Sequence, residues 1–217
     1  MLKKTLINGL RKLLNICEQF SKEHGLKYNV EKIEMLFFRA GKSSEVVLPV
    51  FSNGSPVRVV KSFKYLGHIL TDNLKDDGDM ERERRALAVR ANMIVSRFAR
   101  CTDDVKVTLF KAFCQCFYTC QLWTRFTKRS YNALRIHYNN AFRILMQLPR
   151  FCSAKSMFAV ACVPDFFAIL RTRTASFWER LRRTTNTILC TLNEDFKNLF
   201  VKYWPCVHRC DNNNFRF

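Results

Sequence analysis

Residues 71–79 read TDNLKDDGD, a polar and acidic run in a strongly basic chain. The spacing of apolar side chains changes across it. Upstream lie short runs of apolar or β-branched residues: 33–39 (IEMLFFR), 46–51 (VVLPVF), 57–60 (VRVV) and 63–70 (FKYLGHIL). Downstream, apolar residues recur every three or four positions, as one face of a helix requires. The expected fold is therefore α+β, with a helix and antiparallel strands first and an all-helical region second. The expected organisation is 1–75, then 76–185, then a partly disordered extension over 186–217.

Working outward, the segment before the strands is helical. Leu6, Leu10, Leu13, Cys17 and Phe20 are spaced four, three, four and three, which predicts an amphipathic helix over 2–23 with these residues on its buried face. Gly25 supplies a left-handed stop. Asn53-Gly54 suits a tight hairpin turn, where positive φ is needed, and Pro49 marks an edge strand. Beyond the acidic run, helices are expected over 80–99, with Asp79 as N-cap, and over 103–122, with Val105, Leu109, Phe113, Cys116, Phe117 and Cys120 inward. A third, over about 128–147, puts Tyr131, Leu134, Tyr138, Phe142 and Leu145 inward and stops at Pro149. Ser153 can cap a short helix to about 161, and Pro164 can open the first turn of another reaching about Arg183. The ending, CDNNNFRF, reads as frayed.

The chain has 37 Lys and Arg against 18 Asp and Glu, a net charge of +19. By segment this is +7 for 1–70, −3 for 71–80, +10 for 81–150 and +5 for 151–217. So large an excess repels itself unless a polyanion is near, and nucleic acid is the expected partner. An anionic membrane surface is disfavoured because the cations are not gathered in one amphipathic stripe. No run of about 20 apolar residues is present, which argues against a membrane span. The charged start, MLKKTLINGLRK, is not a secretory signal, and with ten cysteines the expectation is a reduced, intracellular environment.

Gly25-Leu26-Lys27-Tyr28-Asn29-Val30-Glu31-Lys32, followed about thirty residues later by Phe63-Lys64-Tyr65-Leu66-Gly67-His68, resembles two successive motifs of non-LTR (LINE-like) retrotransposon reverse transcriptases. The first looks like motif D, which closes the palm, and the second like the primer grip of motif E. Leu109-Phe110-Lys111-Ala112-Phe113-Cys114, Gln121-Leu122-Trp123, Tyr138-Asn139-Asn140-Ala141-Phe142-Arg143 and Leu148-Pro149-Arg150 look like the thumb of the same elements. Together these cover roughly residues 2 to 180. The resemblance implies a palm remnant and a thumb from an RNA-directed DNA polymerase. Its implied partners are a template–primer duplex of RNA or DNA and an upstream polymerase half. It implies Mg²⁺ as cofactor of the complete family enzyme, and none in this chain.

The chain departs from that family in one decisive respect. It contains no Tyr-x-Asp-Asp, whereas two-metal nucleotidyl transfer needs carboxylates holding two ions about 4 Å apart. The expectation is a chain that binds nucleic acid and does not polymerise alone. Two alternatives stand beside it: a non-enzymatic basic RNA- or DNA-binding protein derived from the element, and an unstable remnant.

By the resemblance, Lys32 stands at the motif D lysine, a possible general acid to the leaving pyrophosphate, although residue 33 is Ile where the family has Thr or Ser. Phe63, Tyr65, Leu66 and Gly67 stand at the primer grip. The resemblance also implies that Arg84, Arg85, Arg90, Arg97, Arg125, Lys128, Arg129, Arg135 and Arg143 contact phosphates along a duplex. No metal site is expected. Asp76, Asp77 and Asp79 read as a solvated turn ending in a helix cap rather than as ligands, and Asp103-Asp104 as a helix entry. Cys206, His208 and Cys210, with Cys190, lack the paired spacing of a zinc site. There is no glycine-rich phosphate loop and no cysteine–histidine nucleophile pair.

Overall fold

The structure is a computed structural model and describes residues 2–38 and 49–194. It is α+β, with seven α-helices and six short strands among the described residues. The chain divides into two compact units, Met1–Leu74 and Lys75–Phe217.

In the first unit, α1 spans Leu2–Glu23. It ends as Gly25 requires: φ is +64° there, the Leu26 N–H donates to the Ser21 carbonyl at 2.8 Å and the Gly25 N–H to that of Lys22 at 3.4 Å. This left-handed cap satisfies carbonyls that the helix leaves over. Six strands follow: β1 Glu34–Leu36, β2 Phe51–Ser52, β3 Ser55–Pro56, β4 Arg58–Val60, β5 Ser62–Tyr65 and β6 His68–Thr71. They pair as β1 with β4, β2 with β3 and β5 with β6. Asn53 and Gly54 turn the β2–β3 hairpin at φ +47° and +75°. The other expected strands needed two corrections. β1 and β4 pair parallel, Glu34 opposite Arg58, where an antiparallel set was expected. Residues 63–70 form two strands, because Leu66 and Gly67 reverse the chain at φ +46° and +86°. Strand residues in 46–48 lie outside the described residues.

The buried face of α1 is also rotated from expectation. Ser21 is buried, while Ile7, Leu10, Leu14 and Cys17 are half-buried. Leu13, Ile16 and Phe20 are 56%, 64% and 52% exposed. Two polar ties set this rotation: Glu18 Oε1 accepts from the Asn53 N–H at 2.6 Å, and Arg11 donates to the Pro49 carbonyl at 2.9 Å. Asn53 turns the β2–β3 hairpin and Pro49 leads into it, so hydrogen bonds to that segment orient the helix as much as its leucines do.

The second unit holds α2 Asp77–Phe98, α3 Asp103–Cys114, a 3-10 turn at Cys120–Leu122, α4 Lys128–Leu145, α5 Ala154–Val160, α6 Phe166–Arg182 and α7 Thr187–Glu194. Its core is aromatic. Phe110 meets Phe142 edge-on with centroids 4.9 Å apart, Phe117 meets Tyr138 at 5.5 Å, and Tyr138 stacks on Phe158 at 5.2 Å. Full burial of such side chains contributes about 1.5–3 kcal/mol each. Tyr138 keeps its hydroxyl satisfied: it donates to the Pro164 carbonyl at 2.8 Å and accepts from Gln115 Nε2 at 3.2 Å. The inward face of α4 is the expected one, with Tyr131, Leu134, Tyr138, Phe142 and Leu145 all buried.

Helix 103–122 stops eight residues early and turns a different face inward. Lys106, Phe110 and Cys114 are buried, whereas Val105 and Phe113 are 43% and 44% exposed. After Cys114 the chain breaks at Thr119, φ +63°, and Phe117, Cys120 and Trp123 are each 3% exposed or less. On a continued helix of about 3.6 residues per turn Trp123, nine residues after Cys114, would face the opposite side, and the break lets both be buried. Elsewhere the corrections are small. α4 ends before Pro149, with Gln147 at φ +54° and Leu148 N–H on the Arg143 carbonyl at 2.8 Å. Asp165, not Pro164, opens α6, accepting from the Ala168 N–H at 2.7 Å. Ser153 stands at the N-cap of α5 without a side-chain cap bond.

Candidate nucleic-acid interface

The first unit presents two of the expected features. The β5–β6 hairpin places Phe63 opposite Leu70 and Tyr65 opposite His68. Phe63 is half-buried and its ring lies against that of Tyr65, centroids 6.5 Å apart. At the tip, Tyr65 is 57% and Leu66 75% exposed. Leu66 holds a left-handed φ that costs a branched side chain about 1–2 kcal/mol. Gly67 beside it adopts its positive φ without a Cβ penalty. The hairpin therefore carries an aromatic and a leucine outward on a strained two-residue turn.

Lys32 ends a 3-10 turn, Val30–Lys32, whose amide donates to the Asn29 carbonyl at 3.1 Å, and its side chain is exposed. It does not line the nearby groove of ≈ 440 Å³, whose walls include Ser21, Lys22, Leu26, Lys27 and Tyr28. Tyr28 donates to the Cys17 carbonyl at 3.3 Å and ties the loop after α1 back onto that helix.

In the second unit the nine cations fall into two groups. Arg84 holds both oxygens of Glu81 at 2.7 Å, and Arg85 reaches the same carboxylate at 2.9 Å. These guanidinium groups, Arg84 first, hold the Glu81 carboxyl at about 2 against the modest upward pull of burial. Arg90 pairs with Glu83 at 2.5 Å. Glu83 is fully buried, and burial raises its carboxyl above the ordinary range despite Arg90 and Arg82. Arg143 donates twice to the Cys152 carbonyl, at 2.9 and 3.2 Å, and once to Asn140 at 2.8 Å. Arg135 lies over the Phe167 ring at 5.9 Å. These five are engaged within the unit, although Arg85 keeps 75% of its side chain exposed. Arg97, Arg125, Lys128 and Arg129 are exposed, and the last three cluster within five residues at the start of α4.

The acidic run has a role that its composition concealed. Asp76 and Asp79 are buried, so the segment is not a solvated turn. Asp76 Oδ2 accepts from the backbone N–H groups of Thr124 and Arg125 at 2.8 and 2.7 Å. Asp77 accepts from the amide and hydroxyl of Thr127 at 2.9 and 2.7 Å. Burial pushes the Asp77 carboxyl up, and the hydrogen bonds from Ser130 and Thr127 outweigh it and bring it below its usual value. Asp79 lies inside the first turn of α2 rather than capping it. It accepts from Trp123 Nε1 at 2.8 Å, Thr119 Oγ1 at 3.1 Å and Arg82 Nε at 2.7 Å. The three carboxylates clasp residues 119–127 and thereby fix where the α4 cations emerge. The signal available in sequence was Trp123, whose indole N–H needs an acceptor when the ring is buried.

These carboxylates face N–H and O–H donors, an arrangement unsuited to holding two metal ions. Among the described residues no group of three or more His, Cys, Asp or Glu side chains could hold a metal ion. Cys206, His208 and Cys210 lie outside the described residues. Cys190 donates its thiol to the Thr184 carbonyl at 3.4 Å. No helix among the described residues is long and apolar enough to cross a membrane.

Alongside the clasp, α2 and α4 run in the same direction. Asp77 meets Thr127 at their starts, and farther along Ala88, Ala91 and Val95 line a groove of ≈ 100 Å³ with His137, Ala141 and Ile144. His137 is held below its usual imidazole value, first by burial and then by Arg84. No family model, curated protein or solved structure matches the chain.

Proposed function

We propose that this chain is the palm-end and thumb portion of an RNA-directed DNA polymerase of the non-LTR retrotransposon kind, that it binds a template–primer duplex, and that it does not polymerise alone. The observation that carries the reading is the tip of the β5–β6 hairpin. A leucine spends conformational energy to stand 75% exposed beside a glycine and an exposed tyrosine. A two-residue hairpin demands positive φ at both central positions, and a leucine there in place of the usual asparagine or glycine leaves an apolar side chain standing in solvent, as a contact surface for another molecule would. The sequence there, Tyr65-Leu66-Gly67, is the one that resembles a primer grip.

Binding is electrostatic in this reading. Arg125, Lys128 and Arg129, held at the start of α4 by the aspartate clasp, meet phosphates and give affinity without base preference. Phe63 braces the hairpin from within, and Lys32 stands on the motif D-like loop as a cation. In this reading none of the described residues activates a primer hydroxyl, and the Mg²⁺ of the complete enzyme is held by the Tyr-x-Asp-Asp carboxylates that are absent from the sequence.

The test is binding of an RNA–DNA hybrid as a function of salt, with primer extension in Mg²⁺ or Mn²⁺ alongside. Affinity falling steeply with salt and no nucleotide incorporation are expected. Salt-independent binding removes the reading, and incorporation above a vector control removes the inactive assignment.

A second reading has its own support. Leu13, Ile16 and Phe20 form an exposed apolar stripe on α1, which suits a unit that packs against an upstream polymerase half and self-associates without it.

A further inference from the structure

The link between α6 and α7 reads Leu181-Arg182-Arg183-Thr184-Thr185-Asn186. Arg182 is the last residue of α6, Arg183 is its C-cap, and residues 184–186 have no regular secondary structure. Arg182, Arg183 and Thr185 are exposed. Arg183 pairs with Glu179 at 2.8 Å, yet its side chain remains 78% exposed.

The two threonines differ. Thr184 is half-buried, its Oγ1 accepts from the Asn186 N–H at 3.3 Å, and its carbonyl accepts from the Cys190 thiol. The Thr185 hydroxyl makes no hydrogen bond among the described residues. Two hydroxyls directly after arginines differ from it: Ser130 shares its hydroxyl with Thr127 at 3.0 Å, and Thr174 is 7% exposed.

We propose that Thr185 is a phosphorylation site for a protein kinase that reads arginines two and three positions before its acceptor. Kinases select substrates by charge pattern, and carboxylates on such an enzyme grip guanidinium groups through paired, charge-assisted hydrogen bonds. Only the last turn of α6 has to fray for the segment to extend, which helix ends do readily. In the transfer, Thr185 Oγ1 attacks the γ-phosphorus of ATP and its proton passes to the kinase's base. The bond from that phosphorus to the β–γ bridging oxygen breaks, and ADP leaves.

The product places a charge of about −1.5 to −2 next to Arg182 and Arg183. It also stands one residue before Asn186, whose Oδ1 accepts from the Ile188 and Leu189 N–H groups and so starts α7. Negative charge is favoured there by the positive end of the helix dipole. Modification thus neutralises a cationic link, whether or not the chain binds nucleic acid.

The experiment incubates the full chain with a purified kinase selective for Arg-Arg-x-Ser/Thr and labelled ATP, then maps the label by mass spectrometry. A synthetic peptide covering residues 178–190 serves as the unfolded control. Label on Thr185 is expected, absent in Thr185→Ala and retained in Thr184→Ala. It should be reduced about ten-fold or more in Arg182→Ala/Arg183→Ala, which removes both guanidinium groups that the kinase's carboxylates would hold. Circular dichroism of each variant confirms that it folds. Label on other residues with Thr185 unmodified overturns the proposal, as does labelling of the peptide but not of the folded chain.

Discussion

Trp123 Nε1 donates to Asp79 Oδ2 at 2.8 Å across 44 residues of chain, with both side chains almost wholly buried. Asp79 also accepts from Thr119 and Arg82. Replacing it with alanine leaves three donors short of a partner. Breaking a buried, charge-paired hydrogen-bond centre costs about 3 kcal/mol, so Asp79→Ala is expected to lose that much in urea denaturation. A loss below about 0.5 kcal/mol, the range of ordinary surface substitutions, would show that the clasp does not hold the bundle.

Acid should loosen the second unit through Glu81. Its folded carboxyl sits at about 2 rather than the ordinary 4.5. A depressed carboxylate contributes stability above its unfolded value and loses it as pH falls through the folded one, here between about 5 and 2. Glu81 is 39% exposed, so solvent screening keeps the contribution small. Glu83 acts with the opposite sign: its raised carboxyl favours folding while protonated and loses that contribution as pH rises through the raised value. Glu81→Gln is expected to flatten the acid limb of a stability–pH curve; an unchanged limb rules Glu81 out as its source.

The division of the cations predicts which ones set salt dependence. Arg125→Ala/Lys128→Ala/Arg129→Ala should reduce the slope of log K against log salt by about 2 to 3, at roughly 0.9 for each phosphate no longer neutralised. Arg84→Ala/Arg85→Ala should change it by less than about 1, because Glu81 already neutralises part of their charge. Hybrid binding by fluorescence anisotropy at several salt concentrations measures both. Equal slopes for the two variants would mean that internal pairing does not decide which cations meet phosphate.

At the hairpin tip, stability and binding should move apart. Leu66→Gly removes the strain at φ +46° and is expected to stabilise the first unit by a few tenths to about 1 kcal/mol, net of the greater chain entropy glycine carries when unfolded. It should also weaken hybrid binding. If binding improves or is unaffected, the exposed leucine does not touch the duplex.

The apolar stripe gives the last prediction. Leu13→Gln/Ile16→Gln/Phe20→Gln should reduce self-association in sedimentation while leaving the melting temperature within about 2 °C, as expected for solvent-facing positions. A large drop in melting temperature would mean that these side chains are buried within the unit.

Legibility in the sequence followed the range of the forces involved. Gly25 and Asn53-Gly54 were readable because positive φ is a local demand that few residues meet. The buried face of α4 was readable because one helix packs one stripe. The register of α1 was not, because the bonds of Glu18 and Arg11 to the β2–β3 hairpin join residues 35 and 38 positions apart. Nor was the acidic run: Asp76 and Asp79 look like solvated turn residues until the backbone of 124–125 and the indole of Trp123 are brought to them. Among the arginines, composition counts charge but does not reveal which guanidinium groups are already satisfied by Glu81, Glu83 or the Cys152 carbonyl.

The clasp between 76–79 and 119–127 means that the peptide link from α2 to α3 is not what keeps those helices together. A protease cutting at the exposed Arg100 would sever the chain but leave the two pieces held by the same carboxylates, indole and amides. The nicked protein would migrate as two bands under denaturing conditions and as one particle under native ones.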